Sequence, residues 1–409
     1  MKRFAFLTLV ATQILIACVA PAPPTVVVEM PTPLPTATVP TNSTAIPTIP
    51  EPTPSLIPAS TVAPSLTPSA TLEGRLGPDT FPPDINPLTG LPADVAALVS
   101  LPINVKVSNS PPCVRPQYGL AQADVIFEHY VEAWVTRFTA IFHSHYPTRV
   151  GSVRSARLID IELPAIFGSG FLFSGASAGG QRRIDGSDFV DRAFHALDGC
   201  PVLCRVPRES TLCNERTHTL FANTQAGLEL FAERGFTGPQ LPLTGWVFST
   251  QPPATGLPAT QVDVDYLNAP VRWTYDSTTG LYYRAQSGTA HTDAETGLTL
   301  TAANVVVLFA NHVYSDIQES TNWYSLEIQF WDSGPGLMFR DGQAFELTWV
   351  RQQRPGLFAL VDANNNPVPL KPGRTWFQMV GLASSQSQTD GRWTIDPEEL
   401  PLRTPPRRP

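Results

Sequence analysis

Basic residues are scarce along most of this chain. Across 409 residues, 27 Lys+Arg stand against 35 Asp+Glu, a formal net charge of −8. That balance argues against nucleic acid as a partner, because binding a phosphate backbone rests on a basic surface. Past the N-terminus, no run approaches the roughly twenty apolar residues that a membrane-spanning helix needs. Attachment to a membrane would therefore be by an anchor. Metal-ligand spacings are missing as well. The Cys200/Cys204 pair has no second close Cys or His pair beside it, and His143 and His145 lack a nearby third ligand. Asp362–Asn366 lacks the glycine and terminal glutamate of a calcium loop. The sequence thus calls for no metal and no cofactor.

What is present begins with residues 1–18. Lys2 and Arg3 precede an apolar stretch too short to span a bilayer, which ends in Leu15-Ile16-Ala17-Cys18. This end resembles the bacterial lipobox, in which the cysteine becomes the acylated N-terminus, so Cys18 is the expected lipidation site. Residues 19–79 are dense in Pro, Thr, Ser and Ala and carry no Lys or Arg before Arg75. Such a segment buries too little apolar surface to offset its ordering entropy. Its prolines favour extended chain of about 3.1 Å per residue. A tether is expected here.

Residues 80–240 mix strand and helix signals. Apolar runs at 103–107, 125–131, 136–144 and 171–174 read as strands, and Ser155–Phe167 and Asn223–Arg234 read as helices. A Gly/Pro/Thr-rich stretch near 238–258 follows. Residues 241–385 then read as a series of strands separated by Gly, Asn and Asp turns. The expected class is α+β, a mixed α/β N-terminal domain before a mainly β C-terminal one. Residues 386–409 read as a Pro/Arg-rich tail. Cys113, Cys200, Cys204 and Cys213 suit two disulfides in an exported chain, with three pairings possible.

The basic residues concentrate in one place. Arg115, Arg137, Arg149, Arg154 and Arg157 all fall between 115 and 157, which marks a local site. A helix starting near Ser155 would set free backbone N–H groups beside Arg154 and Arg157, a ready site for an anion. The competing expectation pairs these arginines with Glu128, Glu132, Asp160 and Glu162. Glu128 and Glu132 on one strand would stand about 13 Å apart, too far for a glycosidase pair. Gly175-Ala-Ser177-Ala-Gly179 matches G-x-S-x-G, so a nucleophilic Ser177 with His195 or His218 is a second reading.

Several motifs together, NPLTGLP (86–92), RPQYGLAQADVIFEHYVEAWVTRFTAIF (115–142), VGSVRSAR (150–157), ERTHTLFANT (215–224), ANVVVLF (303–309) and GRTWFQMV (373–380), resemble the YerB-type bacterial lipoproteins. The resemblance implies an N-terminal and a C-terminal domain of unknown function behind a lipobox and tether. The family's Arg-rich segment corresponds to Arg115, Arg137, Arg154 and Arg157, and its Arg/His segment to Arg216 and His218. At 171–180 the chain carries Phe173 where the family pattern calls for histidine. The expected function is that of an extracytoplasmic, lipid-anchored protein of the cell envelope. It would bind an anionic wall or glycan ligand through Arg115, Arg137, Arg154, Ser155, Arg157, Ser177, Arg216 and His218. The alternative is an envelope hydrolase or transferase using Ser177 or a Glu/His pair.

Overall fold

The computed structural model describes residues 74–399, except 196–198, 208–212, 214 and 321–322. Cys18 and nearly all of the tether lie outside the described residues, as does the end of the tail. The chain from Thr67 onward forms one compact unit.

The N-terminal half supplies β1 (Ile103–Ser108), β2 (Val125–Tyr130), β3 (Thr136–Phe142), helix α1 (Leu163–Phe167), β4 (Gly170–Leu172), helix α2 (Ala178–Asp185) and helix α3 (Thr224–Glu233). The C-terminal half supplies β5 (Gln261–Val264), β6 (Val271–Asp276), β7 (Leu281–Gln286), β8 (Asn304–Ser320), β9 (Trp323–Gln329), β10 (Asp332–Arg340), β11 (Gln343–Arg351), β12 (Thr375–Gly381), β13 (Ser385–Thr389) and β14 (Arg392–Asp396). Strands outnumber helices, and the second half is almost entirely β, which is the α+β class expected.

The two halves share one twelve-stranded sheet, whose longer strands run β11–β10–β8–β12–β2–β3–β1–β4. The seam is a parallel pairing of β12 with β2, with Trp376 opposite Ile126 and Gln378 opposite Glu128. Phe377 stacks on Phe127 across it, with ring centroids 4.7 Å apart. A second sheet in the C-terminal half runs β7–β6–β5–β14–β13. Every residue of β1, β2 and β3 is buried, so these strands are covered on both faces. One face packs Phe127, Ile141, Ile159 and Phe167. The other packs Val105, Ile126, Phe138 and Trp376.

Most strand expectations match to within a few residues, and α3 begins after the Asn223 cap, whose side chain accepts from Ala226 N. Two elements differ. No helix starts at Ser155. Arg154 N donates to Lys106 O, and Ala156 N to Gly175 O (both 2.9 Å), which holds 153–156 extended between β1 and the 174–177 loop. Only a 3-10 turn (Leu158–Ile161) and the five-residue α1 follow. β10 was not among the expected strands; it carries Gly334, Pro335 and Gly336, residues that ordinarily weaken a strand. Pro335 lies just past the end of the β8 ladder, which pairs residues 336–339. At Gly334 a Cβ would come within 2.6 Å of Phe309 O and the Trp349 ring, so glycine is what permits that packing. Residues 385–396, mostly assigned above to the tail, form the β13–β14 hairpin, and β14 pairs in parallel with β5. The cysteines pair as Cys113–Cys213 and Cys200–Cys204.

Candidate functional site

Register decides which polar side chains meet, because neighbours on paired strands share a face. Lys106 stands opposite Thr139, and His129 opposite Arg137. These four project toward the 154–162 segment. There Lys106 Nζ donates to Thr139 Oγ1 (3.0 Å) and Asp160 Oδ1 (2.9 Å) and lies 2.7 Å from His129 Nε2. Asp160 also accepts from Thr139 Oγ1 and from Arg157 N. Lys106 and Asp160 are fully buried, so each is tolerable only because the other is there. Burial pushes Lys106 down to about 8 against the pull of Asp160. Burial, then the charge of Lys106, holds His129 well below the ordinary histidine range. The ring is therefore neutral, with Nδ1 donating to Tyr130 O at 2.8 Å and Nε2 free to accept from Lys106.

Three arginines sit at the edge of this cluster. Arg157 pairs closely with Glu132, and Glu319 lies 3.9 Å from its other nitrogen. Arg137 donates from Nη1 to Ser155 O at 2.6 Å, and Arg154 from Nη1 to Thr217 O at 3.3 Å. Neither has a carboxylate within 4 Å among the described residues. Both guanidinium groups are held below the ordinary arginine range, by burial first and then by neighbouring arginines. A guanidinium stays charged at any physiological pH. The shift therefore registers chiefly the burial of both groups, and after it the like charge of Arg157 beside each. A Cβ at Gly175 would meet nothing within 4 Å, so the loop beside these arginines borders open space.

A β-hairpin from the C-terminal half reaches over this region. Glu319, on β8, accepts from Ser177 Oγ at 2.7 Å and from Ser325 Oγ. Leu326 N, on β9, donates to Glu132 Oε1 at 3.3 Å. The arm packs closely, since a Cβ at Gly179 would fall 2.3 Å from Ile317.

The expected site residues thus divide. Arg137, Arg154, Ser155, Arg157 and Ser177 converge. His218 is adjacent: its carbonyl accepts from Ser152 Oγ, and Thr217 accepts from Arg154. Arg115 does not join them. It donates to Asn109 O and belongs to a network on the opposite face of the sheet. Arg216 is exposed, with its carbonyl accepting from Arg205. Ser177 is the N-cap of α2, accepting from Gly180 N at 3.1 Å. A positive helix end of the kind expected near Ser155 is found here instead, with Glu319 accepting from its capping hydroxyl. No histidine hydrogen-bonds to Ser177 among the described residues. Glu128 and Glu132 part company: Glu132 turns to Arg157, and Glu128 pairs with Arg284 at 2.6 Å on the opposite face, both partners fully buried.

Sequence reasoning missed Lys106, His129, Glu319 and Arg284, and it offered Asp160 as an arginine's partner where Asp160 pairs with Lys106. Lys106 carried a usable signal, as one of three lysines in the chain and the one set within an apolar strand run. Glu319 and Arg284 carried none, because more than 140 residues separate each from its partner.

Fold and geometry together define a two-domain α+β protein whose halves share a sheet and meet beside a cluster of buried charges. Models of the N-terminal and C-terminal domains of a protein family of unknown function (DUF3048) match residues 88–237 and 262–377. The chain belongs to this family. The Bacillus subtilis (strain 168) protein "Putative lipoprotein YerB" is 31% identical over 326 residues, covering 77% of this chain and 91% of that protein. The crystal structure of YerB from Bacillus subtilis superposes with a TM-score of 0.60 at 28% identity, over 72% of this chain and 96% of that one.

Proposed function

We propose that this chain is a lipid-anchored, extracytoplasmic binding protein of the cell envelope, holding an anionic ligand between Arg137 and Arg154. The anchor reading rests on the lipobox-like Cys18 and on the name of the Bacillus relative. The ligand reading rests on one observation: two guanidinium groups beside each other, each bonded to a backbone carbonyl, neither paired with a carboxylate. In a chain of net charge −8, carboxylates to neutralise them were available, and Arg157 has two. A phosphate or carboxylate ligand would supply the missing negative charge through charge-assisted hydrogen bonds.

The second reading, a hydrolase or transferase, gains little. The Ser177 hydroxyl caps a helix and donates to Glu319, an arrangement that holds the hairpin arm in place.

The test is a thermal-shift screen with polyphosphate, phosphorylated sugars and wall fragments, using Arg154→Ala as control. A ligand that binds only the folded protein raises the melting temperature, by about 2.7 kcal/mol of stability at a hundred times Kd. A shift in wild type that vanishes in the variant supports the reading. A shift of equal size in both places the ligand elsewhere.

A further inference from the structure

Of the eight tryptophans, Trp246, Trp273, Trp349 and Trp376 are in the core, but Trp331 is 41% exposed. It stands on the turn between β9 and β10. Arg351, which donates to Phe330 O at 2.5 Å and pairs with Glu162 at 2.7 Å, braces that turn against the N-terminal half. Trp331 borders a shallow, open cleft of about 40 Å³, lined also by Leu158, Ile161, Arg183 and Glu327. The side chains of Arg183, on α2, and Glu327, on β9, have no hydrogen-bond or ion-pair partner among the described residues. Leu158, on one wall of the cleft, directly follows Arg157 in the chain.

We propose that this cleft is a subsite for a neutral sugar ring, with the pyranose stacked on Trp331 and its hydroxyls bonded to Glu327 and Arg183. The negative face of an indole attracts the slightly positive C–H groups of a sugar's flat side. A carboxylate and a guanidinium with unused capacity can accept and donate to the hydroxyls at the ring's edge. The cleft is shallow and open, which suits one unit of an extended glycan and not an enclosed small molecule. A rigid turn also keeps the indole presented before the ligand arrives, limiting the ordering cost of binding. The subsite goes beyond the anion reading and stands on different residues.

The experiment is saturation-transfer difference NMR on the full-length chain in detergent, with chitotriose, cellotriose and maltotriose as probes. Wild type should transfer saturation to the ring protons of at least one trisaccharide. Trp331→Ala should reduce that transfer at least fivefold and Glu327→Ala by a smaller factor, whereas Arg154→Ala should leave it unchanged. Absence of transfer from wild type to all three sugars would overturn the proposal. So would transfer that survives Trp331→Ala, or that Arg154→Ala abolishes, since the sugar would then sit beside Arg154. Trp331 is exposed, so its replacement should leave the melting temperature within a degree or two, and that check separates lost binding from lost fold.

Discussion

If Arg137 and Arg154 await a ligand and Arg157 is structural, replacing each by methionine should give two different outcomes. Methionine keeps the length of the side chain and removes its charge. In Arg157→Met, the pair with Glu132 is lost, and among the described residues Glu132 keeps only the Leu326 amide at 3.3 Å. Breaking a buried pair by removing one partner costs about 3–5 kcal/mol. Arg157 and Glu132 are 13% and 7% exposed, so the low end, about 3 kcal/mol, is expected. In Arg137→Met, one charged hydrogen bond to Ser155 O is lost, an interaction of about 1.5–3 kcal/mol. Against that loss, a buried charge no longer has to be desolvated and no longer faces Arg154 and Arg157. These terms oppose each other, and the net change should fall within about 1 kcal/mol of zero. Arg154 should respond in the same way or gain slightly, because its bond to Thr217 O is long and its buried Nε has no partner.

Urea unfolding at pH 7 separates these cases. Against wild type, Arg157→Met should lower the unfolding free energy by about 3 kcal/mol, while the other two change it by about 1 kcal/mol or less. Anion affinity should show the reverse order. Loss of a charge-assisted contact weakens binding by about 10- to 100-fold in Arg137→Met and Arg154→Met. The reasoning fails if Arg137→Met and Arg154→Met unfold as readily as Arg157→Met, for then all three arginines are structural.

Three further outcomes follow from other parts of the fold. Glu128→Gln leaves Arg284 buried without its counter-charge and should cost about 3–5 kcal/mol in urea unfolding; adding Arg284→Met should cost much less than a second such loss, because the two act as one unit. His312 is buried with Nδ1 donating to Ala310 O at 2.8 Å, and burial lowers it to about 4. Its folded value lies below the unfolded 6.5, so the unfolded chain binds the extra proton, and stability is lost as pH falls from 6.5 toward 4, by about 3 kcal/mol from this residue; unfolding free energies between pH 4 and 7 should show a slope that His312→Leu reduces by about one proton. Finally, Cys113–Cys213 closes a separation of 100 residues and Cys200–Cys204 one of four, so serine pairs at the first should cost about 4.7 kcal/mol and at the second about 2 kcal/mol by loop-closure entropy, measured as urea midpoints.

Local pattern carried much of the fold. The alternation in 271–276 and 281–286 gives a hairpin in the expected place, with Trp273 opposite Arg284. The Asn223 cap marks the start of α3. The failures came where a long-range partner overrode a local signal. Ser155–Phe167 has helical periodicity, but Lys106 O and Gly175 O capture the amides of Arg154 and Ala156 and keep that stretch extended. Asp332–Arg340 carries two glycines and a proline, yet β11 on one side and β8 on the other hold it as a strand. The arginine cluster was legible from composition, because five arginines in 43 residues stand out in an acidic chain. Which of them are neutralised was legible only in part: Glu132, which pairs with Arg157, was among the expected partners, whereas Glu319 lies more than 160 residues beyond Arg157 in the chain.

The same architecture explains why the unpaired arginines lie where they do. β1, β2 and β3 carry Lys106, His129 and Arg137 on one face and Glu128 on the other, in strands with no exposed residue. Polar groups at such positions need partners, and each face draws one from a different part of the chain. Asp160, from the N-terminal half, neutralises Lys106. Arg284, from the C-terminal half, neutralises Glu128 and lies over Trp376 at 4.8 Å. The parallel β12–β2 seam brings the halves into register, so the β8–β9 arm lands with Glu319 against Ser177 and Arg157 and not against Arg137 or Arg154. Three carboxylates thereby answer two of the four cations in the cluster: Asp160 takes Lys106, and Glu132 and Glu319 take Arg157. The unanswered pair lies beside the loop at Gly175, where the protein's own atoms leave space, and that coincidence of unpaired charge with open space is the basis for placing a ligand there.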